Sequence, residues 1–107
     1  MTDWRRIRVE GVSDVEREVA VFQVWAVEKV PRAKFKVKVL ERSHGGFVAI
    51  PNIGVKDKQR GWFDGEAGGG ASIEEALEDA VRRLMRLIDE HGATAEDDFE
   101  YADPQEF

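Results

Sequence analysis

The sequence predicts a two-layer α+β domain: an antiparallel sheet of about four to five strands packed on one long C-terminal helix. Three observations carry this. Residues 34–39 alternate strictly between lysine and an apolar side chain, the period of a half-buried strand. Residues 72–91 carry apolar side chains at helical spacing behind a capping signal. Short β-rich runs separated by Gly and Pro fill most of the remaining chain, and such strands need a packed helix to bury one face.

Taken in order, Ile7 and Val9 alternate with Arg6, Arg8 and Glu10 and predict a short first strand before Gly11. Ser13 and Glu16 have the spacing of a capping box, which leaves a helix open for residues 13–30. Residues 19–27 hold four valines and two aromatics, however, and these suit a pleated surface better. Apolar on both faces, this run reads as a central strand ending near Val30, because Pro31 cannot donate to a ladder. Phe35, Val37 and Val39 then point to the core while Lys34, Lys36 and Lys38 point to water. Ser43, His44, Gly45 and Gly46 make a turn, and residues 47–50 return as the partner strand. Residues 51–60 read as a polar, basic loop, residues 62–67 as a last short strand, and Gly68, Gly69 and Gly70 as its end and a flexible connection.

The helix is the most strongly signalled element. Ser72 and Glu75 form a capping box, and Glu74, Glu75, Glu78 and Asp79 place negative charge near the positive end of the helix dipole. Ile73, Leu77, Ala80, Val81, Leu84, Leu87 and Ile88 make one apolar stripe, and Gly92 supplies the stop. The predicted domain is therefore residues 1–92. Residues 93–107 have six acids, no base and no periodicity, and are expected to be a disordered acidic tail.

Composition narrows function mainly by exclusion. A length of 107 residues fits one domain. The absence of Cys excludes a disulfide scaffold, a thiolate zinc site and a cysteine nucleophile. No apolar run approaches signal-peptide or membrane-span length, so the expected setting is cytoplasmic with no membrane partner. The net charge of −6 combines a basic first part with an acidic second part, which argues against non-specific nucleic-acid binding by the whole chain.

Tests for chemistry return nothing specific. No G-x-S-x-G elbow holds a serine nucleophile. His44 falls in a tight turn and His91 at the helix end, where a cation suits the dipole. Neither has a spaced partner that predicts a metal site. The glycines before the helix lack the lysine of a phosphate loop, and Glu66, Glu74 and Glu75 would repel a phosphate. The expectation is thus no catalytic residue, no cofactor and no metal. The best surface feature is a candidate interaction face of Arg32, Lys34, Lys36 and Lys38, joined by Lys56, Lys58 and Arg60 of the basic loop. Lysines on an exposed strand also prevent edge-to-edge aggregation, the plainer explanation of the row.

Residues 34–42, the Gly45, Gly46, Phe47 run into Pro51 and Asn52, and the Ser72, Ile73, Glu74, Glu75, Ala76 opening of the helix resemble the HicB-like antitoxin domain over about residues 33–91. The resemblance implies strands leading into a helix opened by a Ser/Thr-x-Glu-Glu-Ala motif, and a non-enzymatic regulatory role. Here the loop of residues 53–61 is longer and more basic than that family's turn, and an acidic tail stands where such antitoxins carry a DNA-binding module. The strand order is also similar to the double-stranded-RNA-binding domain, but Glu74, Glu75 and Glu78 occupy places where that family has lysines. The expected function is a small protein-binding module whose partner is another protein or a second copy of itself. The alternative is a nucleic-acid-binding domain using the Lys34, Lys36 and Lys38 face.

Overall fold

A computed structural model describes residues 3–107. Over these described residues the domain is α+β, with one four-stranded and one three-stranded antiparallel sheet and one 19-residue helix. The larger sheet contains β1 (Glu16–Trp25), β2 (Lys34–Arg42), β3 (Phe47–Pro51) and β6 (Gly68–Gly70) in the order β1-β2-β3-β6. The smaller is built from β4 (Ile53–Lys56), β5 (Phe63–Asp64) and β7 (Phe99–Tyr101) in the order β5-β4-β7. The helix α1 (Ile73–His91) covers one face of the larger sheet.

The core follows from the alternation of β2. Phe35, Val37 and Val39 point inward and are buried, meeting Ala49 of β3 and Ala76, Ala80, Leu84, Leu87 and Ile88 of α1. The helix begins as its sequence predicts: Ser72 Oγ accepts from the Glu75 N–H at 3.1 Å, and Gly92 closes it in the left-handed conformation at φ 61°. The turn between β2 and β3 places Gly45 and Gly46 at positive φ, also as predicted.

Six expectations are corrected. Ile7 and Val9 form no strand; a short 3₁₀ turn, Trp4–Arg6, precedes them, and both side chains are exposed. β1 ends at Trp25 rather than near Val30, and it is an edge strand rather than a central one. Its apolar residues read as two-sided because Val21 and Trp25 sit on the uncovered face, 49% and 62% exposed. Within the predicted basic loop, Ile53, Gly54, Val55 and Lys56 form β4, with Ile53 and Val55 buried. The predicted strand over residues 62–67 shrinks to the two residues of β5. The three glycines expected as a connection are themselves β6 and pair with β3.

The sixth correction concerns the acidic tail. The Asp98 carboxylate accepts from the backbone N–H groups of Thr94 and Ala95, at 3.0 Å each, and closes the 3₁₀ turn Glu96–Asp98. Phe99 is then buried in the core opposite Val55, and β7 pairs with β4. Residues 93–101 thus belong to the fold, so the ordered domain extends beyond residue 92. Glu96, Asp97 and Glu100 stay exposed, while Ala93, Asp98 and Phe99 turn in.

Candidate functional site

The outer face of the larger sheet, opposite α1, is the candidate site. Register sets its composition: Trp25 lies opposite Lys34, Gln23 opposite Lys36 and Val21 opposite Lys38, so these six side chains share one surface. Lys38 also faces Ile50 of β3. Lys34 Nζ stands 5.0 Å from the centre of the Trp25 ring, a cation–π contact at an exposed position. The result is a lysine row interleaved with apolar and aromatic side chains.

The chain's own C-terminal segment lies along one end of this face. Tyr101 Oη donates to the Lys34 carbonyl at 3.0 Å, and the Ala102 N–H donates to the Asn52 carbonyl at 2.7 Å. Asn52 in turn accepts the Lys36 N–H on its side-chain oxygen at 2.8 Å, which ties this segment to β2. The Arg32 guanidinium stacks 4.3 Å from the centre of the Tyr101 ring. At the far end, Lys38 Nζ donates to the Phe107 backbone oxygen at 2.9 Å and stands 4.6 Å from the centre of the Phe107 ring. Aromatic rings and a backbone oxygen of an acidic segment therefore hold two of the four cations, Arg32 and Lys38, while the Lys34 ammonium rests on Trp25 of β1. Among the described residues, none of Arg32, Lys34, Lys36 and Lys38 forms an ion pair with an Asp or Glu side chain.

The other three predicted residues are engaged differently. Lys56 is on β4, paired with Phe63 of β5. Lys58 Nζ lies 3.7 Å from Asp98 and 3.4 Å from the Gly92 carbonyl at the end of α1. Arg60 Nε lies 3.7 Å from Asp57, and its guanidinium stands over Trp62. The backbone N–H groups of Ala95 and Thr94, with Lys58 and Lys56 adding attraction, hold the Asp98 carboxyl below the usual carboxylate range. Lys58 and Arg60 are thus taken up by local Asp side chains, whereas the β2 row has no Asp or Glu partner among the described residues.

Sequence reasoning missed the neighbourhood of Arg60. Asp57 after β4, Asp64 on β5 and His91 at the end of α1 bring one ligand-type atom each within 4.8 Å of one another. No spacing links these positions in the chain; only pairing of β4 with β5 and packing of the helix end unite them. On the β2 face, Trp25, Tyr101 and Asn52 were likewise missed as neighbours of the lysines. The alternation of β2 was visible in the sequence, but the register with β1 and the path of the last residues were not. Comparisons of the chain with protein-family models, curated proteins and solved structures find no match.

Proposed function

We propose that this is a non-catalytic protein-binding module that takes an acidic, aromatic-bearing segment of a partner protein on the outer face of β1 and β2. One observation carries the reading: residues 101–107, which contain Tyr101, Asp103, Glu106 and Phe107, already lie against Arg32, Lys34 and Lys38. A face that holds such a segment within its own chain has the donors and the cation–π geometry to hold one from outside. Exposed Trp25 and Val21 supply apolar area beside the lysines, the mixture of anchor and charge that interfaces favour. An antitoxin-like regulatory role is the form of this reading that the HicB-like resemblance favours.

The test is a binding titration of the full-length chain with two labelled probes. One is a peptide rich in Glu and Asp carrying two or three Phe and Tyr; the other is a mixed-sequence oligonucleotide. Saturable peptide binding that is lost in the Lys34→Gln, Lys36→Gln, Lys38→Gln triple variant and weakened in Trp25→Ala is expected. Exclusive oligonucleotide binding would replace the proposal with the nucleic-acid reading. Binding of neither probe would overturn both.

A further inference from the structure

We propose that Asp57, Asp64 and His91 form a site for a divalent first-row transition-metal ion such as Zn²⁺ or Co²⁺. Three separate elements deliver the donors: the loop after β4, strand β5 and the last residue of α1. Their ligand-type atoms all lie within 4.8 Å of one another. His91 Nε2 and Asp64 Oδ2 are 3.4 Å apart, close to the separation of about 3.4 Å that two ligands have around a tetrahedral ion with bonds near 2.1 Å. The set is one imidazole and two carboxylates without sulfur, which suits Zn²⁺, Co²⁺ or Mn²⁺ better than Mg²⁺ or Ca²⁺, whose sites are built of oxygen.

Each carboxylate is held on the side away from the convergence point. Asp64 Oδ1 accepts from the Trp62 indole N–H at 2.9 Å, which turns Oδ2 toward His91. Asp57 Oδ1 accepts from the Gln59 and Arg60 N–H groups at 3.0 and 3.1 Å, leaving Oδ2 for another partner. Outer hydrogen bonds of this kind orient ligands at metal sites. The three side chains are largely covered, 12%, 33% and 21% exposed in chain order. Asp57 and His91 nevertheless border an open cleft of about 380 Å³, shared with Lys58, Gln59, Arg60 and Glu90, through which an ion and its remaining water ligands can enter.

The counter-charge now nearest Asp57 Oδ2 is Arg60 Nε at 3.7 Å, on a side chain that is 66% exposed. A guanidinium so placed can swing out, and an ion would take its position. Arg60 is therefore a competitor of the metal. This distinguishes a metal site from a simple ion-pair cluster, in which Arg60 is only a stabiliser.

The experiment titrates the full-length protein with Co²⁺ and with Zn²⁺. Co²⁺ is expected to quench emission from Trp62, one of three tryptophans, and the Trp62→Phe variant should lose that quenching. Asp64→Asn and His91→Gln should each weaken binding by at least about tenfold, while Arg60→Ala should tighten it. Circular dichroism checks that the variants are folded. An independent measurement on the unaltered chain follows the two histidines by NMR: Zn²⁺ should shift the His91 ring resonances and leave those of His44 in place. No shift at His91, equal shifts at both histidines, or weaker binding in Arg60→Ala would overturn the proposal.

Discussion

The backbone of Gly68 approaches α1 so closely that a Cβ on Gly68 would stand 2.6 Å from the Ala80 Cα and 2.8 Å from the Ala76 carbonyl oxygen. Neither neighbour is a flexible side-chain end, so the clash has no inexpensive relief. Two alanines on the helix and glycines on β6 together let the helix axis settle onto the sheet edge. Gly68→Ala should therefore cost about 1–3 kcal/mol or more, as overpacking does. Gly69→Ala is the control, since its added Cβ would meet only the Phe47 carbonyl oxygen at an ordinary 3.7 Å. Chemical unfolding of the two variants checks this; similar losses in both would mean that close helix approach is not the cause.

These same glycines show where sequence reading stops. A Gly run has high backbone freedom and normally marks a connection, so pairing of β6 with β3 is invisible until the helix is placed. The alternation in β2 and the stripe in α1 were legible because each element is long enough to repeat its period several times. β4 also alternates, with Ile53 and Val55 buried, but at four residues beside Pro51 it gives too little signal. The lysine row was legible as a row, and its aromatic company was not. That company comes from cross-strand register and from a segment some seventy residues away in the chain.

Phe99 should behave as a core residue despite its acidic surroundings. It is 8% exposed and packed opposite Val55, so Phe99→Ala should cost about 3–5 kcal/mol, comparable to about 2–5 kcal/mol for Leu84→Ala in the middle of the helix stripe. Removing residues 93–107 altogether should lower the melting temperature by many degrees, whereas removing only residues 103–107 should change it little. Thermal unfolding of the two truncations separates them. An unchanged midpoint in the longer deletion would show that β7 adds nothing to the fold.

Stability should fall in acid through a small set of carboxylates. Backbone N–H groups lower the Asp98 carboxyl below its usual range, and a backbone N–H from Gly69 followed by the Arg83 side chain does the same for Asp79. The Ser43 hydroxyl and the Val15 N–H lower Asp14. Groups depressed in the folded state bind protons more readily when unfolded, so their stabilisation is complete above the unfolded value near 4 and disappears as pH falls through the folded values. Denaturation midpoints should be flat from about pH 7 to 5 in these terms and drop below about 4. Asp98→Asn keeps an acceptor for Thr94 and Ala95 but no charge, so it should flatten part of that drop. Should the variant retain the full acid sensitivity, Asp98 is not one of the groups responsible.

The lysine row can be tested together with the segment that covers it. Lys38 donates to the Phe107 backbone oxygen and Lys34 is tied through its carbonyl to Tyr101, so residues 103–107 compete with any external ligand at the Lys38 end. Deleting residues 103–107 leaves β7 intact and should raise affinity for an acidic aromatic peptide several-fold, chiefly by removing an intramolecular competitor held at high effective concentration. The Lys34→Gln, Lys36→Gln, Lys38→Gln change should then abolish the gain in the shortened chain. Salt separates the two kinds of ligand. A duplex held through phosphates would lose affinity with a logarithmic slope near −0.9 per phosphate contacted, and the triple change would remove most of that slope. A peptide anchored by Trp25 and cation–π contacts should show a shallower dependence, with a residue of affinity persisting in high salt. β2 is paired on both sides, so the row guards no sheet edge. If it serves only to keep the outer face of the sheet solvated, the shortened chain will bind neither probe and the triple variant will aggregate. Peptide affinity that is the same with and without residues 103–107 would show that the segment does not occupy the binding face, and the partner site would have to be sought elsewhere.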